Sequence, residues 1–236
     1  MTATRDLILV LADSKRMLGT RYAEWILGAP ELETGIACAS MSQDEWGHAR
    51  LLYALLKEFD DDVDQLEHGR NAPEYRSIEV LDAAPTDWPA FVVLNALVDS
   101  ALTVQLEALR ESEHAPLRQR VGKLIDEEHF HLSHGIAWMK RLASSEAGRA
   151  QFAVSARTAI PLIVRWFGNG EPAACRDVWV QRVRSPLQPF AVDGLLDAPP
   201  DFTGFDASTR RVSTTGPDAA TIARVRGDKN RAFLLD

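Results

Sequence analysis

The chain has 236 residues, of which 46% are apolar, and carries a formal net charge of −8 with a pI near 5.3. That is enough chain and enough apolar content for one domain with a real core, with or without an extension. The acidic balance argues against the basic face of a nucleic-acid binder, no apolar run approaches the ~20 residues of a membrane span, and two cysteines, Cys38 and Cys175, make no disulfide framework.

The N-terminus, "MTATRDLILVLADSKR", lacks the charge pattern and cleavage site of a signal peptide, so a cytoplasmic protein is expected. Spacings of three and four mark the first helix over about residues 4–28, with an apolar stripe of Leu7, Leu11, Leu18, Tyr22 and Trp25. Lys15 sits in that stripe as its polar interruption. "GAPE" then stops the helix with Gly28 and Pro30. The second helix is expected over about 31–59, and its stripe reads Cys38, Met41, Glu45, His48, Leu52, Leu55, Phe59. A connection over 60–87 follows, opening with "DDDVD" and holding Pro73 and Pro85.

The third helix is expected over about 88–112, with Val92, Ala96, Asp99, Leu102, Leu106 and Leu109 in line. The fourth covers about 116–143, with Leu117, Val121, Leu124, Glu128, His131, Gly135, Trp138 and Leu142. A fifth spans about 145–167. Beyond "GNGEP" the Pro-, Gly- and Asp-rich tail reads as mostly irregular, with a short helix near 217–227. Two helical hairpins joined by one long crossover make an all-α, ferritin-like four-helix bundle. Residues 1–170 are expected to form it, and 171–236 an extension that packs on it to cover Trp179, Phe190 and Phe202.

In helices two to four the polar interruptions lie inside the apolar stripe. An unpartnered buried carboxylate costs several kcal/mol, so these groups need a partner, and three acids with two imidazoles suggest a metal ion. Antiparallel helices bring residues equidistant from a turn to one level. Counting from a turn near His114, Glu128 and His131 lie 14 and 17 residues after it and Asp99 lies 15 before it. Counting from Ala29, Glu45 and His48 lie 16 and 19 after and Lys15 lies 14 before. Two Glu-x-x-His motifs, Glu45 to His48 and Glu128 to His131, let an acid and an imidazole of one helix reach the same ion. Dimetal-carboxylate bundles use two such motifs and one further acid from each remaining helix.

Asp44 and Glu127 precede the motif glutamates. One step back rotates each by about 100°, so Asp44 is assigned to the free N–H of His131 and Glu127 to that of His48. Gly47 and Gly135 are read as close packing near the site. His68 and His114 read as loop residues, His129 and His134 as solvent-facing, and Cys38 as core.

Lys15 stands where the fourth acid belongs. Two iron ions carry +4, which three carboxylates and a lysine cation do not balance. Three outcomes remain open: a neutral Lys15, one ion instead of two at Asp99, Glu128 and His131 with Glu45 in reach, or no metal and a buried ion pair of Lys15 with Glu45 or Asp99. Asp13 is a poor substitute, two residues away and about 200° round the helix. Acidic ligands favour iron, with manganese as the alternative.

The segments "SQDEWGHARLLY", "LVDSA", "DEEHFH" and "DAPPDFTGFD" resemble the diiron catalytic subunit of the phenylacetyl-CoA epoxidase family, ferritin-like proteins of bacterial phenylacetate and aromatic catabolism. "EWILGAPELE" and the short N-terminus are more similar to the non-catalytic partner subunit, which has lost the metal ligands. The resemblance implies O₂ activation, monooxygenase insertion of oxygen into an aromatic acyl-CoA, and Glu45, His48, Asp99, Glu128 and His131 as ligands. It also implies a glutamate in the catalytic subunit where this chain has Lys15. An oxidoreductase in which Lys15 donates a hydrogen bond or proton to bound oxygen is one expectation. A metal-poor scaffold subunit that stabilises a homologous partner is the other, with a homo-oligomer also open. The tail "RVRGDKNR" concentrates Arg224, Arg226, Lys229 and Arg231, either as solvated surface or as a phosphate or partner contact.

Overall fold

The computed structural model describes residues 2–169, 173–227 and 233. The fold is all-α and ferritin-like: the described residues form eight α-helices, and the only extended pairing among them is an isolated bridge between Asp206 and Arg211. The chain divides into two compact units, Met1–Ala84 with Ser213–Asp236, and Pro85–Val212.

In the first unit, α1 (Thr2–Ala23) and α2 (Leu32–Leu55) form an antiparallel hairpin. From Ile8 to Tyr22, α1 is buried almost throughout, and α2 buries Cys38, Met41, Glu45, His48, Leu52 and Leu55. The first helix ends five residues earlier than its sequence pattern suggests. Beyond Ala23 the backbone tightens into i to i+3 bonds, with Trp25 N–H on Tyr22 O at 3.1 Å. This brings the Ile26 carbonyl against Gly35, where a Cβ would sit 2.4 Å from that oxygen, so only glycine fits. The crossover holds short turns that bury Tyr75, Ile78 and Leu81. Helix α8, which the structure gives as Ala219–Arg226, also belongs to this unit. Asp218 caps it by accepting from Thr221 N at 2.7 Å, and Gly227 closes it in the left-handed conformation.

In the second unit the third helical stretch has three parts: α3 (Trp88–Val93), a single π turn (Leu94–Val98) and α4 (Asp99–Ala108). Asp87 caps its start, accepting from Ala90 N at 2.8 Å. Residues Trp88–Glu111 are apolar enough to span a membrane by composition, contrary to the sequence reading, but 94% of the most apolar window is buried inside the protein. Its apolarity belongs to a core helix. It packs against α5 (Ala115–Ala143), and α6 (Glu146–Trp166) packs on α3 and α5. Ser145 caps α6 through Gly148 N at 3.0 Å.

The tail departs from its irregular reading: residues Ala173–Leu187 form α7. Cys175, Trp179, Val183 and Leu187 recur every fourth residue and are all buried. Trp179 donates Nε1–H to Leu97 O and Ser100 Oγ, each at 3.1 Å, which ties α7 to the π turn. Trp179 and Phe190 are thus covered, as expected of them, while Phe202 is half-buried.

The two glycines beside the motifs have different reasons. A Cβ on Gly135 would lie 2.9 Å from Ala96 Cα, so close approach of α5 requires glycine. A Cβ on Gly47 would meet no atom within 4 Å, and the close-packing reading fails there. Gly47→Ala is therefore expected to stabilise α2 by about 0.5–1 kcal/mol, and Gly135→Ala to destabilise by about 1–3 kcal/mol. Urea unfolding midpoints of the two variants should move in opposite directions.

Candidate metal centre

In the second unit, Asp99 begins α4 straight after the π turn, and Glu128 and His131 share the buried face of α5. All three side chains are almost fully buried. One ligand atom of each lies within 4.8 Å of the others. His131 Nδ1 is 3.1 Å from Asp99 Oδ2 and 3.7 Å from Glu128 Oε2. That nitrogen, turned between two carboxylates, is the atom a cation would take. Two hard oxygens and one imidazole fit iron or manganese.

Polar neighbours hold this trio. Thr103 Oγ1–H lies 3.1 Å from Glu128 Oε2 and 2.9 Å from Asp99 O. Asn95 Nδ2–H donates to His131 O at 3.2 Å, and its Oδ1 is 2.7 Å from His134 Nδ1. His134 is therefore half-buried in a side-chain pair rather than solvent-facing. Burial pushes its imidazole down to about 4, so it is neutral near pH 7 and donates from Nδ1. The sequence reading missed Asn95 and Thr103. A signal existed, since 95, 99 and 103 are four apart and give one polar line through an otherwise apolar helix.

In the first unit, Glu45 and His48 are buried on α2, and Lys15 is buried on α1. Lys15 Nζ donates to Glu45 Oε1 at 2.9 Å, with neither side chain exposed at all. This is the buried ion pair that the sequence left as one of three outcomes. Glu45 therefore already has a cationic partner, which fits a donor set for one ion better than for two. Asp13 is unavailable as a substitute ligand. It is fully buried, and it accepts from Tyr53 Oη–H at 2.5 Å, Arg70 Nη1 at 2.9 Å and Arg76 N at 2.7 Å.

Asp44 and Glu127 are both half-buried, and Glu127 is 3.9 Å from Lys123 Nζ on its own helix. His129 is exposed, His68 lies in a short π turn, and His114 caps α5 by accepting from Leu117 N at 3.3 Å. Cys38 is core, with burial raising its thiol to about 12. Of the tail cations, Arg224 pairs with Glu24, and Arg226 bonds the Arg70 carbonyl and Asn71 Oδ1. Lys229 and Arg231 lie outside the described residues.

Comparison with known proteins agrees with this donor chemistry. A curated relative, one of the subunits of the 1,2-phenylacetyl-CoA epoxidase of Escherichia coli (strain K12), is 28% identical over 138 residues. The match covers 58% of this chain and 56% of that protein, so the chain spans about half the length of the relative. Residues 1–181, which carry both Glu-x-x-His motifs, Asp99 and Lys15, match the family described as phenylacetic acid catabolic protein, and the chain belongs to that family.

Proposed function

We propose that the chain is an oxygenase-type oxidoreductase subunit that binds iron and activates O₂ for attack on an aromatic acyl-CoA or a similar small substrate. The observation that carries this reading is the buried convergence of Asp99, Glu128 and His131. In the proposal Glu45 and His48 complete the ligand set, with Asp44 orienting His131 and Glu127 orienting His48. The equal heights derived from the sequence support that pairing. Iron held there would supply redox chemistry and a template for O₂. The contact between Lys15 and Glu45 supports one ion rather than two, and manganese is the alternative metal. Lys15 holds a proton at Nζ that it can donate toward oxygen, and the buried walls exclude water. A cytoplasmic location and a homologous partner subunit go with this reading, which the relative's description as a subunit supports.

The same ion pair favours a second reading, a metal-poor scaffold that stabilises a catalytic homologue. Elemental analysis of protein purified after growth with iron separates the two. About one ion per chain, lost in His131→Ala, supports the oxygenase. Metal-free protein that takes up neither iron nor manganese overturns it. Thr103→Val removes the hydroxyl on Glu128 and is expected to weaken Mn(II) binding by about 10-fold or more in calorimetric titration.

A further inference from the structure

We propose that Arg210 and Trp166, in the second unit, form a receptor for a small oxyanion such as phosphate or a carboxylate. Three arginines show why Arg210 stands apart. Arg21, fully buried, is taken up by Glu24, Leu81 O and Thr221 Oγ1. Arg70, 4% exposed, is paired with Asp13. Arg210 is 8% exposed, yet among the described residues no carboxylate pairs with it. Its one hydrogen bond there runs from Nη1 to Gln105 Oε1 at 2.9 Å, leaving the Nε–Nη2 edge without an acceptor.

Burying a guanidinium with no counter-charge is unfavourable, and here burial draws its pKa down to about 10. The nearest acid of its own loop is committed elsewhere, since Asp206 Oδ1 accepts from Ser208 N and Ser208 Oγ, each at 2.8 Å. Trp166 supplies a second unsatisfied donor. Arg210 Cζ lies 5.1 Å from the centre of the Trp166 ring, and the buried indole Nε1–H has no acceptor. A cation and an N–H donor, both short of acceptors and in contact, match the needs of an oxyanion.

The backbone also holds Arg210 in place. Its φ of +56° is left-handed, a conformation that non-glycine residues seldom adopt. Arg210 N–H on Asp206 O at 2.7 Å and Asp206 N–H on Arg211 O at 2.9 Å fix that turn. The side chain is thereby aimed over the indole before any ligand arrives. Gln105 orients the guanidinium from one side and leaves the opposite edge as a two-donor fork, the geometry that grips phosphate or carboxylate.

The test is a titration of ¹⁵N-labelled full-length protein with inorganic phosphate and, separately, with acetate, at constant ionic strength set with chloride. The Trp166 indole resonance, identified by its loss in Trp166→Phe, is expected to move saturably with at least one of them. The anion that saturates at lower concentration identifies the ligand class. Arg210→Gln should weaken that binding at least about 10-fold. No saturable movement with either anion overturns the proposal, as does an unchanged affinity in Arg210→Gln. Should Arg210→Gln fail to fold, Trp166→Phe keeps the ring and removes the donor. It should reduce the phosphate- or acetate-dependent rise in melting temperature, and an undiminished rise, or an equal rise with chloride alone, overturns the proposal.

Discussion

Lys15→Glu is expected to destabilise the metal-free protein and, at the same time, to raise its metal content from about one ion per chain toward two. The two effects have one cause. Lys15 and Glu45 are wholly buried and 2.9 Å apart. Removing one partner of such a pair costs about 3–5 kcal/mol, and a second carboxylate adds like-charge repulsion. For a chain of this size the melting temperature without metal should fall on the order of 10 °C. A divalent ion reverses the balance, because the carboxylate then faces a cation. Ligand at a thousand times its dissociation constant adds about 4 kcal/mol, enough to restore most of the loss. Lys15→Met is the control: it should show the same loss with no recovery on adding Mn(II). If Lys15→Glu binds no more metal than the parent, the vacancy assigned to helix α1 is misplaced.

The second large effect is expected at Asp13, away from the proposed ligands. Asp13 neutralises Arg70 through paired N–H···O contacts, accepts the Tyr53 hydroxyl at 2.5 Å and caps Arg76 N–H at 2.7 Å. Burial, and then the Asp13 charge, hold the Tyr53 phenol well above its usual range, so it remains a donor. Arg70 also lies over the Tyr75 ring, 4.3 Å from its centre. Asp13→Asn leaves the guanidinium buried without a carboxylate and should cost about 3–5 kcal/mol. Tyr53→Phe removes one hydrogen bond and should cost about 1 kcal/mol. Because the residues share one network, Asp13→Asn with Arg70→Met should cost clearly less than the sum of the two single changes. Urea unfolding of the four variants measures this, and strict additivity would mean that the network is not coupled.

The helices and the residues that interrupt them could be read from the sequence because burial forces period. Glu45, Asp99, Glu128 and His131 fall on apolar stripes, and each is buried where the period puts it. The crossover, with its buried Tyr75 and Ile78, shows no such period because short turns have none. Helix α7 escaped for another reason. Its stripe of four is flanked by glycine and proline signals that read as loop, though Cys175, Trp179, Val183 and Leu187 held the pattern. Asp13 looked like a spare ligand because spacing reveals direction but not partners. Arg70 and Arg76 come from the crossover, whose path the sequence does not fix. His134 was misjudged similarly, since Asn95 reaches it from a π turn that period alone does not announce.

The π turn at Leu94–Val98 has a consequence for how this site can change over time. It closes with an i to i+5 bond, Asp99 N–H to Leu94 O, and so holds one residue more than a regular turn. Deleting a single residue there would restore a plain helix and swing Asp99 by about 100° relative to Trp88 and Phe91. The acid would leave His131 and Glu128 while the aromatic half kept its seat. A one-codon event could therefore silence the centre without unfolding the protein, and the reverse insertion could create such a centre in an inert helix.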